Sequence, residues 1–361
     1  MKILIIHASA GQGHKRAAEA IFNIIRQETC HNVAIIDSFD FTNSLFKFLY
    51  KKGYAFLVTH FPSVWGFFYR HTDKPRHTFL NSFFSFFNNN LNSPKLRTFL
   101  MKEKPDVIIS THFFANEVIS ELKKKNLVEA ELICIITDFL VHHYWLSDGV
   151  DKYLVACWKT KEQLLSLGVV EEKIRITGIP IDSKFFLETD RNDICQRLNL
   201  NPNKFSALVA TGTFGFKIIE QVVNLLRDEV QLLIVCGNNK RLFQKLSSIN
   251  HENLKVFGLI TNMHELMSVV DVIVTKPGGL TISEALVKNL PMIFISPIPG
   301  QETNNAKFFQ DNGLAVNAKN LFQIKEIITQ FKNNKDSLEQ FKLRLAKFPK
   351  ANSAEELLKL I

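Results

Sequence analysis

Short, uninterrupted apolar runs alternate with helical segments along most of the chain, and this alternation most constrains its fold. Strands are expected at 3–6, 33–36, 107–109, 132–136 and 153–156, and then at 207–210, 232–235, 254–257, 272–274 and 292–295. Runs without a polar alternation are typical of strands buried on both faces, as in parallel sheets covered by helices. The sequence therefore predicts an α/β protein with two doubly wound parallel sheets.

The stretch Gly178–Asp182, with one glycine and one proline, separates the two series of strands. A chain of 361 residues fits two domains of about 100–200 residues each. We expect a first domain over 1–180, a second over 186–335, and a helical segment over 336–361 that packs back on the first domain. Two such domains predict a cleft at the carboxyl ends of the strands, where open α/β sheets bind ligands.

The segment 41–104 interrupts this rhythm and concentrates aromatic and basic residues. It holds 13 of the 32 phenylalanines, and its ten Lys/Arg against two Asp/Glu account for eight of the nine net positive charges of the chain. Interleaved aromatic and basic residues predict a peripheral contact with an anionic membrane, on its cytoplasmic face. A phenylalanine-rich core with a solvated basic face stays open as an alternative. Nucleic-acid binding is not expected, because no helix-turn-helix or RNP motif is present. The candidate membrane residues are Lys51, Lys52, Trp65, Arg70 and Arg76.

A glycine-containing loop follows the first expected strand and opens the first helix. Gly11 and Gly13 allow a tight turn and a close approach of a ligand to the backbone. Arg16 stands where a dinucleotide-binding fingerprint needs its third glycine. Asp37 nevertheless leaves an NAD enzyme formally open. The loop is not a P-loop, because no GK[ST] follows it. His14 lies at the helix N-terminus, where the dipole disfavours a charged imidazole. A neutral imidazole predicts a general base, and a histidine that only caps the helix is the alternative.

The strongest motif lies in the second half, at Thr275–Glu284 and Pro297–Asn305. The glycine pair at 278–279 predicts a tight turn, and the free backbone N–H groups of the helix that follows can hold a diphosphate. Glu284 lies one turn into that helix and can accept both ribose hydroxyls. Gln301 and Glu302 supply an amide and a carboxylate suited to sugar hydroxyls. The pattern predicts a sugar-nucleotide site.

These motifs resemble those of the family of plant monogalactosyldiacylglycerol synthases and bacterial processive diacylglycerol glucosyltransferases, related to the lipid II N-acetylglucosaminyltransferase. The resemblance rests on ASAGQGH at 8–14, ITDF at 136–139, TGIPID at 177–182 and the motif from Thr275 onwards. It implies an α/β GT-B fold, with two Rossmann-like domains facing a central cleft. It also implies an inverting, metal-independent and cofactor-free transfer of a hexose from a UDP-sugar to diacylglycerol or a glycolipid. KPGG at 276–279 resembles the glucosyl branch, which favours glucose over galactose.

The same resemblance assigns site residues. His14 is the implied catalytic base, with His112 and Asp138 as weaker candidates for acceptor contact or orientation; His142 and His143 are interpreted as surface residues. The implied donor-binding residues are Gly13, Gly212, Thr213, Gly215, Phe257, Gly258, Asn262, Met263, Lys276, Gly278, Gly279, Leu280, Thr281, Glu284, Gln301, Glu302 and Asn305.

The loop 211–216 departs from the family pattern, because Phe214 and Phe216 stand where more glycines are expected. A stiffer loop near the phosphates leaves room for a weakly active UDP-sugar-binding regulatory protein. A second alternative is a transferase that acts on a polyprenyl-linked or peptidoglycan-type acceptor, since its donor site would look the same.

Overall fold

The structure is a computed structural model that describes residues 1–9, 11–73, 94–211, 216–350 and 352–361. The chain forms two compact units. The first comprises Met1–Ser183, Ile298–Gln301 and Ala351–Ile361, and the second comprises Lys184–Pro297 and Glu302–Lys350.

The first unit is built on a sheet of six strands, all parallel, in the order β2-β1-β3-β4-β5-β6. The strands are β1 Lys2–His7, β2 Asn32–Asp37, β3 Val107–Ser110, β4 Glu131–Ile135, β5 Lys152–Val155 and β6 Ile174–Ile176. The helices of this part are α1 Gln12–Glu28, α2 Ser44–His60, α3 Pro62–Thr72, α4 Pro94–Glu103, α5 Phe113–Lys124 and α6 Trp158–Ser166. Short 3-10 turns lie at Ser38–Phe41, His143–Trp145, Glu171–Lys173 and Ser183–Phe186.

Successive residues of β1 point to opposite faces of this sheet and belong to two separate cores. Ile3 and Ile5 pack in one core with Ile21 of α1, whereas Leu4 and Ile6 pack in the other with residues of α4 and α5. Helices cover both faces, which explains why the strand is apolar throughout.

The second unit repeats the architecture, with six parallel strands in the order β12-β11-β10-β7-β8-β9. The strands are β7 Ser206–Ala210, β8 Gln231–Val235, β9 Leu254–Phe257, β10 Val272–Thr275, β11 Met292–Phe294 and β12 Val316–Asn317. The helices are α7 Arg191–Arg197, α8 Phe216–Leu226, α9 Lys240–Ser247, α10 Met263–Val269, α11 Gly279–Val287, α12 Gln301–Asp311, α13 Leu321–Asn333 and α14 Lys335–Lys347.

The expected C-terminal segment 336–361 is divided between the units. Helix α14 belongs to the second unit. The last helix, α15 at Ser353–Leu358, packs on the first unit, where Ala354 and Leu357 share a core with Ile21. Of the segment 336–361, only the last residues therefore belong to the first unit.

The predicted α/β class with two parallel sheets is confirmed, and the structure adds two strands that the sequence did not predict. These are β6 and β12, which lie at the edges of their sheets. Arg175 and Ile176 of β6 are exposed, and β12 has only two residues, both half-buried. Short edge strands lack the buried apolar run on which the sequence prediction depends.

A substitution at Gly149 would test how closely the first unit is packed. A Cβ atom there would lie 2.6 Å from the Cα of Ser120, and backbone cannot move aside cheaply. We expect Gly149→Ala to lower the free energy of unfolding by about 1–3 kcal/mol, measured by urea denaturation.

Gly53 is the matched control, because a Cβ there meets nothing within 4 Å and the residue lies inside α2. Gly53→Ala should leave the stability unchanged or raise it by about 0.5–1 kcal/mol. Equal stability of the two variants would contradict the packing described for Gly149.

Candidate active site

The first unit brings three residues together at the carboxyl ends of neighbouring strands. His14 lies in the first turn of α1, after β1. Thr111 directly follows β3, and Thr137 comes shortly after β4. Because β1, β3 and β4 are adjacent in the sheet, the chain segments that leave them meet at one edge. Gly11, before α1, has a φ of +126°, a backbone conformation that favours glycine.

The hydrogen bonds of His14 define its tautomer. Nδ1 lies 2.8 Å from the carbonyl oxygen of Thr111 and 2.8 Å from Oγ1 of Thr137. A carbonyl oxygen only accepts, so Nδ1 carries the proton and donates it. In return, Oγ1 of Thr111 donates to the backbone oxygen of His14 at 2.9 Å. The neutral ring therefore keeps the lone pair on Nε2, the nitrogen that can take a proton from a substrate.

The surroundings of His14 keep the ring neutral. Burial lowers its pKa from 6.5 to about 4, although the hydrogen bond to Thr111 acts in the opposite direction and His7 adds a small lowering. The ring of His112 meets it edge to face at 4.7 Å, and the ring of Trp145 lies 6.2 Å away. A neutral imidazole with a free Nε2 has the properties of a general base.

His112 and Asp138, the two weaker candidates, have different surroundings. His112 is buried, and its Nδ1 accepts the N–H of Phe114 at 3.2 Å, which caps α5. Burial and the neighbouring His14 hold the pKa of His112 well below its usual value. Asp138 follows Thr137 in the chain. Thr111 and Thr137, which were not predicted, hydrogen-bond the His14 ring. Sequence reasoning missed both threonines.

Asp37, the acid that left a dinucleotide site formally open, binds the loop before α1 and the turn that follows β2. Its carboxylate accepts the backbone N–H of Ser9 at 3.2 Å, the hydroxyl of Ser9 and the N–H of Phe39 at 3.0 Å. These bonds lower the pKa of Asp37 against the opposing effect of burial. The carboxylate thus holds the loop before α1 in place.

The second unit places the expected diphosphate turn between β10 and α11. Helix α11 begins at Gly279, and the residue before it, Gly278, makes no side-chain cap. The first N–H groups of a helix are the groups that can bind an anion. The turn is anchored by Thr275, whose Oγ1 donates to the Ala210 oxygen at 2.6 Å. It is also anchored by Asn305, whose Nδ2 donates to the Pro277 oxygen at 3.1 Å.

Lys276 and Glu284 lie before and after the glycine pair of this turn. Lys276 is half-buried, and its pKa is lowered by burial, while Glu302 acts to raise it. Glu284, the residue expected to hold the ribose, lies in α11 and is buried. Asn305 is buried as well, and its hydrogen bond to the Pro277 oxygen supports the turn.

The remaining donor candidates lie in several segments. Phe257 and Gly258 are half-buried at the end of β9, and Asn262 and Met263 are half-buried at the start of α10. Gly13, Gly278, Leu280, Thr281 and Gln301 are also half-buried, whereas Gly279 is buried. Gly212, Thr213 and Gly215 fall outside the described residues.

Gln301 ends a short segment that groups with the first unit. Within that segment, a Cβ on Gly300 would lie 2.6 Å from the Tyr69 ring, and a Cβ on Gly66 of α3 would lie 2.7 Å from Pro299. The two glycines therefore allow the segment and α3 to pack closely.

Helices α2 and α3 carry exposed aromatic and basic side chains. Lys52 and Arg70 are exposed, whereas Trp65 is half-buried with its ring 6.4 Å from that of Tyr69. The exposed large apolar residues on these helices and between them are Phe48, Phe56, Phe61, Val64, Phe67 and Phe68. Arg76 and the Lys51 side chain lie outside the described part of the chain.

The interpretation of His142 and His143 as surface residues is wrong. His142 is buried, His143 is half-buried, and both lie near Asp73 at the end of α3. Their neighbours in sequence, Val141 and Tyr144, are apolar or aromatic, and nothing local signals a contact with a residue 70 positions away.

No helix in the described ranges is both long and apolar enough to span a bilayer. The same ranges contain no group of three or more His, Cys, Asp or Glu side chains that could hold a metal ion.

Comparison with known proteins agrees with this geometry. The monogalactosyldiacylglycerol (MGDG) synthase family model matches residues 14–181, and that of the glycosyltransferase family 28 C-terminal domain matches 206–360. MurG of Acinetobacter baumannii shares the fold, with a TM-score of 0.63 at 17% identity over 100% of this chain and 99% of its own. The fold and the site together define a glycosyltransferase of the GT-B class.

Curated relatives narrow the class to a family. A processive diacylglycerol beta-glucosyltransferase of Bacillus cereus (strain G9842) is 35% identical over 327 residues, 87% of this chain and 81% of the relative. A Bacillus subtilis (strain 168) enzyme of the same name is 31% identical over 367 residues, 99% of this chain and 94% of its own. The chain belongs to this family of glycolipid-forming glycosyltransferases and is an enzyme.

The lowered pKa of His14 predicts an unusual pH profile. The neutral form is the one that can accept a proton, and with a pKa of about 4 it persists well below the ordinary histidine range. We expect kcat/KM to stay constant as the pH falls through 6.5 and to decline only below about pH 5, measured in steady-state assays with circular dichroism to confirm folding. An acid limb centred near pH 6.5 would contradict the described environment of His14.

Proposed function

We propose that the protein is an inverting hexosyltransferase that moves a sugar, preferably glucose, from a UDP-sugar to diacylglycerol or a glycolipid. The names of the curated relatives support the acceptor class and the choice of glucose. The observation that carries the proposal is the tautomer of His14, whose Nδ1 is held by Thr111 and whose Nε2 is left as a base. An acceptor hydroxyl needs such a base.

The reaction is a single displacement. The acceptor oxygen attacks the anomeric carbon as Nε2 of His14 takes the hydroxyl proton, and the bond from that carbon to the UDP oxygen breaks. Attack opposite the leaving group converts an α-linked donor into a β-glycoside. The imidazolium then returns its proton to water.

The second unit stabilises the departing UDP. In this proposal, the N–H groups at the start of α11 and the ammonium group of Lys276 stabilise the negative charge that grows as the bond breaks. Glu284 binds the ribose, and Gln301 and Glu302 bind the hexose. Because these groups supply positive charge where the leaving group forms, we propose that neither a metal ion nor a cofactor is required.

We also propose that the enzyme acts as a peripheral protein at the cytoplasmic face of an anionic membrane. The described parts of α2 and α3 expose Phe48, Phe56, Phe67 and Phe68 beside basic residues, and the segment 41–104 carries most of the net charge. Aromatic rings enter the headgroup boundary while Lys and Arg meet anionic lipid. A lipid acceptor would be found at that surface.

A donor-by-acceptor assay tests the reaction. Purified enzyme with UDP-glucose and vesicles that contain diacylglycerol should form a β-glucosyl lipid, faster than with UDP-galactose and undiminished by EDTA. His14→Ala should lower kcat by about 10²–10⁴-fold without weakening UDP binding in calorimetry. His251→Ala, in the second unit, is the control and should change neither value.

Transfer to a polyprenyl-linked acceptor but not to diacylglycerol would replace the proposed acceptor. Binding of UDP-glucose without transfer to any acceptor would support the regulatory alternative. Activity lost in EDTA and restored by Mg²⁺ would refute metal independence.

Charge reversal tests the membrane contact. Lys52→Glu with Arg70→Glu removes two exposed cations, each worth about 1 kcal/mol near an anionic surface. We expect binding to phosphatidylserine vesicles, measured by co-sedimentation, to weaken at least about tenfold.

Lys124→Glu with Lys159→Glu changes the net charge equally on other helices of the same unit. This control should bind vesicles as the wild type does. Equal weakening in both double variants would show that only the net charge matters, and unchanged binding of the first would refute the proposed surface.

A further inference from the structure

The C-terminal end of α3 is attached to the 3-10 turn at His143–Trp145. Asp73, which follows α3, accepts the backbone N–H of His143 through Oδ1 at 3.0 Å, and the same oxygen lies 2.9 Å from Nδ1 of the His143 ring. One residue earlier, Nε2 of His142 lies 3.0 Å from the Tyr69 carbonyl oxygen. The rings of Tyr69 and His142 lie 4.4 Å apart. Helix α3 and the turn are therefore joined by hydrogen bonds and by ring packing.

The attached turn lies beside the base. Its last residue, Trp145, is buried and its ring is 6.2 Å from His14. Its middle residue, Tyr144, stacks on Phe113 at 5.3 Å, and Phe113 stacks on His112 at 4.2 Å. His112 in turn meets the His14 ring at 4.7 Å. A row of packed rings thus connects the end of α3 with the base.

The same helix exposes Phe67, Phe68 and Arg70, part of the surface proposed above for lipid. Helix α3 thus meets the turn beside His14 through Tyr69 and Asp73, while other side chains on it are available to a membrane. An acceptor lipid that arrives with this helix has to reach Nε2 of His14 with its hydroxyl correctly placed. Displacement of α3 relative to the turn would misplace that hydroxyl.

We propose that Asp73 is a positioning residue for the lipid acceptor. By binding the backbone N–H and the ring of His143, Asp73 holds α3 in one position relative to the turn and therefore relative to His14. The inference rests on the proposed lipid acceptor. A carboxylate that accepts a backbone N–H and an imidazole at a half-buried site forms stronger bonds than an exposed ion pair.

Two variants at Asp73 separate its contacts. Asp73→Ala removes both hydrogen bonds to His143, and Asp73→Asn keeps an oxygen that can accept the backbone N–H. For Asp73→Ala we expect kcat/KM for diacylglycerol in vesicles to fall at least about fivefold, the effect of one or two lost hydrogen bonds. We expect KM for UDP-glucose and vesicle binding to stay within about twofold of wild type. Asp73→Asn should be intermediate.

Asp148→Asn is the matched control. Asp148 pairs with Lys124 at 2.6 Å on the surface of the same unit, and its side chain is 74% exposed. Surface pairs of this kind contribute little, so this variant should keep both kinetic parameters and the vesicle binding of the wild type.

Three outcomes would overturn the proposal. An unchanged kcat/KM for diacylglycerol in Asp73→Ala would show that the contact does not position the acceptor. A parallel loss for both substrates together with a lower melting temperature would show a role in stability alone. Lost vesicle binding would place Asp73 in membrane attachment. Failure of the proposed function itself is distinguishable, because the wild-type enzyme would then transfer no sugar to diacylglycerol.

Discussion

A backbone carbonyl, that of Thr111, decides which nitrogen of His14 carries the proton. The oxygen cannot donate, so at 2.8 Å it requires a proton on Nδ1, and Nε2 becomes the basic atom. Burial then keeps the ring uncharged at neutral pH. The carbonyl is available in this position because β1 and β3 are adjacent and parallel, so the tautomer of the base follows from the order of strands in the sheet.

In the second unit, backbone groups matter at the turn before α11. The turn lies at the start of a helix. It is anchored by the buried side chains of Thr275, at the end of β10, and Asn305, inside α12. Rigid support matters here, because a diphosphate held by backbone groups is recognised only if those groups keep their directions. Main-chain groups therefore matter in both units: a carbonyl sets the proton on His14 in the first, and backbone oxygens anchor the turn before α11 in the second.

The aromatic segment 41–104 contributes both packed and exposed side chains. Helix α3 has exposed phenylalanines and also contacts the turn beside the base through Tyr69 and Asp73. The described part of this segment therefore has features of both interpretations that the sequence left open, a packed core and an exposed aromatic surface. Some of its aromatic residues pack inside, as Tyr69 does on His142, and others are exposed.

The sequence by itself determined the α/β class, the approximate strand positions and the family, and it singled out His14 as a candidate. Buried parallel strands leave apolar runs, and glycine-containing turns followed by helices leave local signals that can be read along the chain. The edge strands β6 and β12 escaped because their residues are exposed or half-buried.

Only the tertiary structure decided the partners of His14 and the environment of His142 and His143. Thr111 and Thr137 lie 97 and 123 residues from His14 in sequence, and Asp73 lies 70 residues from His143. Contacts of this range depend on which strands become neighbours in the sheet. Hydrophobic periodicity shows that a strand is buried but does not show beside which strand it lies, so these contacts could be found only in the folded chain.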